Sequence, residues 1–116
     1  MKLRDRIGID LSRHIRIEEG LEWAAKNGVK FLDIQLDTDA NAITSFDEKR
    51  VFAARKLREK HAIHVGLHTS SAVNVAEYAP HASKGVDEYL KSYIDIYPKL
   101  GAEWIVVHAG YHFTKD

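Results

Sequence analysis

The sequence predicts an α/β fold, the N-terminal half of a parallel β/α barrel with about four strands and three helices. Three observations predict it. Strand-like and helix-like segments alternate strictly, which argues a parallel sheet with right-handed crossovers. The strand-like segments are aliphatic on one face and carry polar side chains on the other. And 116 residues hold fewer than four complete β/α units, where a closed eight-unit barrel needs about 250 residues. A doubly wound open sheet is the competing architecture, but helices on both sides would require strands that are apolar on both faces. The one-sided pattern favours the barrel, whose helices lie outside and whose strand ends carry the chemistry.

The first strand is expected over residues 6–11, with Ile7 and Ile9 opposing Gly8 and Asp10. A helix over 17–27 follows from Ile17, Leu21, Ala24 and Ala25 at helical spacing, with Gly28 suited to the left-handed position after its end. The second strand, 30–36, sets Leu32, Ile34 and Leu36 against Phe31, Asp33 and Gln35. Ser45 with Glu48 three residues on forms a capping-box pattern that opens a helix over 46–60, its inward face Val51, Ala54 and Leu57. In the third strand, 62–68, Ile63, Val65 and Leu67 oppose His64, Gly66 and His68. After a long loop to Ser83, a helix over 84–100 places Val86, Leu90, Tyr93, Tyr97 and Leu100 on one stripe, closed by Gly101. The fourth strand, 103–108, sets Ile105 and Val107 against Trp104, Val106 and His108. Trp23 and the tyrosines of the third helix read as core and helix-packing groups.

Residues 1–116 therefore read as one partial barrel domain, expected to be truncated after its fourth strand. Either the chain is a fragment of a longer protein or it assembles with a partner. Seventeen basic and seventeen acidic residues balance, so no global field favours nucleic acid or an anionic membrane. No apolar run approaches the roughly twenty residues of a membrane-spanning helix, and Met1–Arg6 lacks the apolar stretch of a secretory signal. A cytoplasmic protein is expected. With no cysteine, any metal must be held by His, Asp or Glu.

The polar inner face carries Asp10, Asp33, Gln35, His64, His68 and His108. His68 and His108 end adjacent strands on the same face and at the same end. Neighbouring strands lie about 4.8 Å apart, so the two imidazoles either converge on one ion or are hydrogen-bonded at the barrel mouth. Two histidines are not a complete centre, since a catalytic zinc usually has three protein ligands plus water. Asp33 and Gln35 are too polar for a barrel interior unless hydrogen-bonded or in use. Asp10 either joins the site or caps the following loop. His64, one pleat deeper, reads as a buried, satisfied core histidine. His112 is a loop residue within reach of the mouth. The first loop, Ser12-Arg13-His14-Ile15-Arg16, either holds a phosphate or is solvated. Phosphate-cradling glycine loops and nucleophile elbows are absent.

Leu67-His68-Thr69-Ser70-Ser71-Ala72-Val73-Asn74 and Gly101-Ala102-Glu103-Trp104-Ile105-Val106-Val107-His108-Ala109-Gly110 resemble the xylose-isomerase-like barrel superfamily. That group holds sugar isomerases and epimerases and the zinc-dependent apurinic-site endonucleases. Its members typically read His-Ala-Pro-Tyr and then an Asn after the third strand, and Val-Val-His-Pro-Gly at the fourth. The resemblance covers the whole chain as the first half of such a barrel. It implies that His68 and His108 bind metal or contact substrate, and that Asn74 shapes its loop. Thr69-Ser70-Ser71 replaces Ala-Pro-Tyr, and Ala109 replaces the proline. The endonuclease branch favours Gly-Ala-His-Val-Ser at the first strand, whereas Gly8-Ile9-Asp10-Leu11-Ser12 puts Asp10 at the histidine position.

The expectation is the N-terminal part of a divalent-metal-dependent sugar or sugar-phosphate isomerase or epimerase of carbohydrate metabolism, inactive as an isolated chain. Zinc, manganese, magnesium or cobalt would be bound through His68 and His108, with His68, His108, Asp33 and Asp10 toward the substrate. The expected partners are a small sugar or sugar phosphate and either further copies of the chain or a missing C-terminal half, without nucleic acid or membrane. The alternatives are an apurinic-site endonuclease-like phosphodiesterase and a non-catalytic half-barrel that serves to dimerise.

Overall fold

A computed structural model describes residues 2–37 and 39–111. After a 3-10 turn at Leu3–Arg6, the elements run β1 (Ile9–Asp10), α1 (Ile17–Asn27), β2 (Phe31–Ile34), α2 (Glu48–His61), β3 (His64–His68), α3 (Pro80–Leu100) and β4 (Ile105–Val106). The strands form one sheet in the order β1-β2-β3-β4, and every pair is parallel. This is the strand order and direction expected for consecutive units of a β/α barrel. The strands are shorter than the alternation of the sequence suggests. A side-chain pattern persists wherever the backbone is extended, whereas a ladder needs a neighbour on both sides of each bond.

The three helices cover one face. Leu32, Ile34, Leu36, Ile63, Val65 and Leu67 are buried there, in one core with Ile17, Leu21 and Ala24 of α1, Val51 and Ala54 of α2, and Tyr93, Ile96 and Leu100 of α3. Register carries the pattern across the sheet: Leu32 pairs with Val65, Asp33 with Gly66 and Ile34 with Leu67. One parity therefore enters the core in both strands and the other faces away from the helices.

Gly28 and Gly101 close α1 and α3 at φ of 70° and 67°, where a side chain would be strained. Two helix starts differ from expectation. Asp47, not Ser45, caps α2, its carboxylate accepting the Arg50 amide at 2.7 Å. Ser45 ends a preceding 3-10 turn, and its hydroxyl donates to the Ala42 carbonyl. The α3 helix starts a turn before Ser83 because Pro80 stands in its first turn, where a missing amide proton costs nothing. Its inward stripe includes Ile96 and the partly buried Tyr89, which the expected stripe omitted. Trp23, expected in the core, is 48% exposed. It lines an apolar groove with Ile9, Leu11 and Ile15 beside β1, the outer strand of the sheet.

Loop 39–47 is tied to the scaffold by Arg50, whose side chain is only 9% exposed. Its guanidinium donates to both carboxylate oxygens of Glu18, to the Ala40 carbonyl and to Asn41 Oδ1. It also lies 4.1 Å over the Phe46 ring. Asn41 in turn accepts the Ile17 amide at 2.8 Å, satisfying a free donor at the start of α1. Burial alone would raise the Glu18 pKa, but the Arg50 hydrogen bond and the charges of Arg50 and Arg16 outweigh it and hold the carboxyl below its ordinary value.

Candidate functional site

The face turned away from the helices carries a hydrogen-bonded chain at the C-terminal end of the strands. Asp33 on β2 and His68 at the end of β3 share the inward parity, and Asp33 Oδ2 lies 2.5 Å from His68 Nδ1. His68 Nε2 lies 3.1 Å from Nε2 of His108, two residues beyond β4. The other oxygen of Asp33 accepts the Trp104 indole N–H at 2.9 Å. With about a fifth of each side chain exposed, Asp33 and His68 remain open to water.

Elementary valence sets the protons. A carboxylate accepts, so His68 carries a proton on Nδ1 and, when neutral, presents a lone pair on Nε2. The imidazole nitrogens that meet at 3.1 Å therefore share one proton while both rings are neutral.

The ends of β3 and β4 are fastened beside these rings. The Thr69 amide and hydroxyl both donate to the Val106 carbonyl, at 3.0 and 2.8 Å. The Ser70 amide donates to the Tyr89 hydroxyl. Thr69 and Ser70, which depart from the pattern of the resemblance, thus pin His68 and His108 side by side. Asn74 shapes its loop as the resemblance implied: its Oδ1 accepts the amides of Ala76 and Tyr111, and its Nδ2 donates to the Tyr111 carbonyl.

Of the residues expected at the site, Asp33, His68 and His108 are brought together and Asp10 is not. Asp10 stands opposite Asp33 in register on β1, exposed at the sheet edge. His64 is satisfied but not buried: its side chain is 44% exposed, paired with Glu103 at 2.6 Å and stacked on Phe31. Among the described residues, the helices that form the core pack on the other side of the sheet from His64. In the first loop, Arg13 and His14 both lie against Asp39, and Arg16 against Glu18, so acids already engage its basic side chains. His112 lies outside the described residues.

Two features escaped the sequence reading. Asp37, just after β2, accepts the hydroxyls of Tyr89 and Tyr93 on its Oδ1, and Tyr93 also accepts the Leu36 amide. Burial, together with Asp37, raises the Tyr89 pKa, and burial beside Tyr89 raises that of Tyr93. An acid at a strand end with tyrosines four apart on a helix was the available signal. The second is the reach of Trp104 across Gly66 to Asp33, signalled only by a glycine and a tryptophan of the same parity on neighbouring strands.

A divalent ion is implied by the resemblance, and the donor chemistry fits it in part. Two imidazole nitrogens each about 2.1 Å from one ion stand roughly 3.0–3.4 Å apart, and the Nε2 atoms of His68 and His108 are 3.1 Å apart. The carboxylate behind His68 is the usual outer partner of a metal-bound imidazole. The described residues contain no group of three or more His, Cys, Asp or Glu placed to hold an ion. Two imidazoles alone fall short of the three protein ligands usual for a catalytic zinc.

Fold and site together define a partial parallel β/α barrel with an aspartate–histidine–histidine chain at its mouth. No family model matches the chain, and no curated protein does. Among solved structures it is similar to the crystal structure of a D-tagatose 3-epimerase-like protein, with a TM-score of 0.70 and 21% sequence identity. The match covers 90% of this chain and 38% of that one, so the chain spans under two-fifths of its neighbour's length. At this identity the likeness shows the fold alone, a part of a parallel β/α barrel. Among the described residues, no helix is long and apolar enough to cross a membrane.

Proposed function

We propose that this chain supplies the first β/α units of a divalent-metal-dependent barrel that isomerises or epimerises a sugar or sugar phosphate. The observation that carries the reading is the Asp33–His68–His108 chain, with both Nε2 atoms meeting at the mouth of the strands. The structural neighbour's description as epimerase-like supports it. His68 and His108 would hold the ion through Nε2. Asp33 keeps the proton of His68 on Nδ1, which leaves Nε2 free to donate its lone pair. A bound ion would supply Lewis-acid polarisation of the substrate oxygens. Proton transfer between neighbouring carbons also needs a base within hydrogen-bond reach, and we assign that base to units beyond these four strands. The isolated chain is accordingly expected to be inactive.

Calorimetry with zinc or manganese tests the reading on the wild-type protein and on a His68→Ala, His108→Ala double variant. Weak binding by the wild type alone is expected, and equal binding by both proteins would overturn it.

The same reading requires cover for the open face. Among the described residues, β1 and β4 each have an edge without a strand partner, and Ile7, Ile9 and Val107 are exposed at those edges. Unpaired edges are templates for further strands, so we assign these edges, and with them the face between, to assembly with further copies of the chain or with the remaining units of a barrel.

A further inference from the structure

We propose that Trp104 is a positioning residue for the candidate site, seated by the absence of a side chain at Gly66. The inference rests on the functional reading above only where metal affinity is concerned.

Trp104 stands immediately before β4, two strands away from Asp33 on β2. Between them, on β3, is Gly66, the register partner of Asp33. A Cβ built on Gly66 would lie 1.7 Å from Cε2 and 1.9 Å from Nε1 of Trp104, a separation no pair of atoms tolerates. The indole therefore lies across the β3 backbone in the volume a side chain would fill, and any residue but glycine evicts it. Only by that crossing does the indole N–H reach Asp33 Oδ1, at 2.9 Å. Phe31, with its ring centre 6.4 Å away, packs beside it.

The consequence falls on His68. Rotation of a carboxylate about its last torsion is soft and nearly two-fold, so the torsion must be set from outside if one oxygen is to meet a given partner. The indole holds Oδ1, and Oδ2 is thereby aimed at His68 Nδ1, 2.5 Å away. That contact keeps the His68 proton on Nδ1 and turns Nε2 toward His108. Simple packing of Trp104 would not require its N–H to point at the one carboxylate that orients the histidine.

The test uses the metal-free, 15N-labelled full chain. Long-range proton–nitrogen correlation of the imidazoles reads the tautomer of His68, and solvent exchange reads the Trp104 indole proton. The wild type should show a single Nδ1–H tautomer and a slowly exchanging indole. Trp104→Phe keeps an aromatic ring over Gly66 but removes the donor, whereas Gly66→Ala keeps the donor and displaces it. Each variant, with an unchanged far-UV circular dichroism spectrum, should turn His68 into a mixture of tautomers. Each should also lower zinc affinity about tenfold, the low end of the range for outer-shell partners. A folded variant of either kind with the wild-type His68 signature would overturn the proposal, as would a wild-type indole that exchanges freely. If one variant fails to fold, the other variant and the wild-type exchange rate decide. A wild type that binds no zinc while His68 stays locked on Nδ1–H sinks the functional reading and upholds the role of Trp104. Zinc binding with unchanged affinity and tautomer in Trp104→Phe does the reverse.

Discussion

Tyr93 is wholly inside the core, yet its hydroxyl meets two polar groups, the Leu36 amide at 3.0 Å and Asp37 Oδ1 at 3.0 Å. Removing that oxygen leaves the Leu36 N–H without its partner, so Tyr93→Phe is expected to cost about 1–3 kcal/mol in a denaturant titration. The phenol also sets an alkaline limit. Burial, with Tyr89 and Asp37 beside it, raises its pKa above the ordinary value of 10.0, so the folded protein resists its ionisation. Its contribution to stability is full below that ordinary value and is lost as the pH rises toward the folded one. A titration of phenolate absorbance should therefore show Tyr89 and Tyr93 ionising only together with unfolding. Ionisation of both at pH 10 in a folded chain would contradict this.

At the start of α2 the cap is Asp47 rather than Ser45, which the capping-box pattern had picked. Asp47→Ala should cost about 1 kcal/mol, as loss of an N-cap does, because Asp47 holds the Arg50 amide. Ser45→Ala should cost less, since its hydroxyl serves a 3-10 turn and the Arg50 side chain. Equal losses on thermal unfolding would return the cap to Ser45. The larger dependence of this region is on Arg50, which links α1, loop 39–47 and α2. Arg50→Ala removes both guanidinium hydrogen bonds to Glu18 and one of those to Asn41 Oδ1, and is expected to cost about 3 kcal/mol, the lower end for breaking a buried pair. Because the Glu18 pKa is depressed in the fold, its contribution is present above the ordinary carboxylate value of 4.5 and fades as the pH falls through the folded value. Arg50→Ala should therefore flatten the acid limb of a stability–pH curve, and an unchanged limb would show that Glu18 does not carry it.

At the scale of the molecule, the helices pack on one face of the sheet and the polar side chains of the strands lie on the other. His64 and Glu103, Phe31 and Trp104 line a face that the helices do not touch. In a closed barrel this face becomes the interior, filled by layers of side chains from alternate strands. The exposed Ile9 and Trp23 beside β1 and the exposed Val107 after β4 mark the two rims where further units would pack. The assembly proposed for this face is checked by sedimentation over a range of concentrations. A species larger than the monomer is expected at tens of micromolar, roughly where a modest interface already forms. A single monomeric species there would remove the proposal.

Alternation of side chains was the decisive signal in the sequence, because it is a property of extended backbone itself. It placed Leu32, Ile34, Val65 and Leu67 on the core side and Asp33, His68 and His108 on the other before any contact was known. Helix ends were legible where one residue type alone suits the backbone, as at Gly28 and Gly101. Asp10 has the right parity but sits on the edge strand, and parity alone cannot tell which inward residues converge. That choice depends on neighbours distant in sequence: Gly66 lacking a side chain so that Trp104 can cross to Asp33, and Tyr93 reaching Asp37 from α3. Periodicity is local and is written in the chain; which side chains meet depends on how strands and helices stack, and only the tertiary structure decides that.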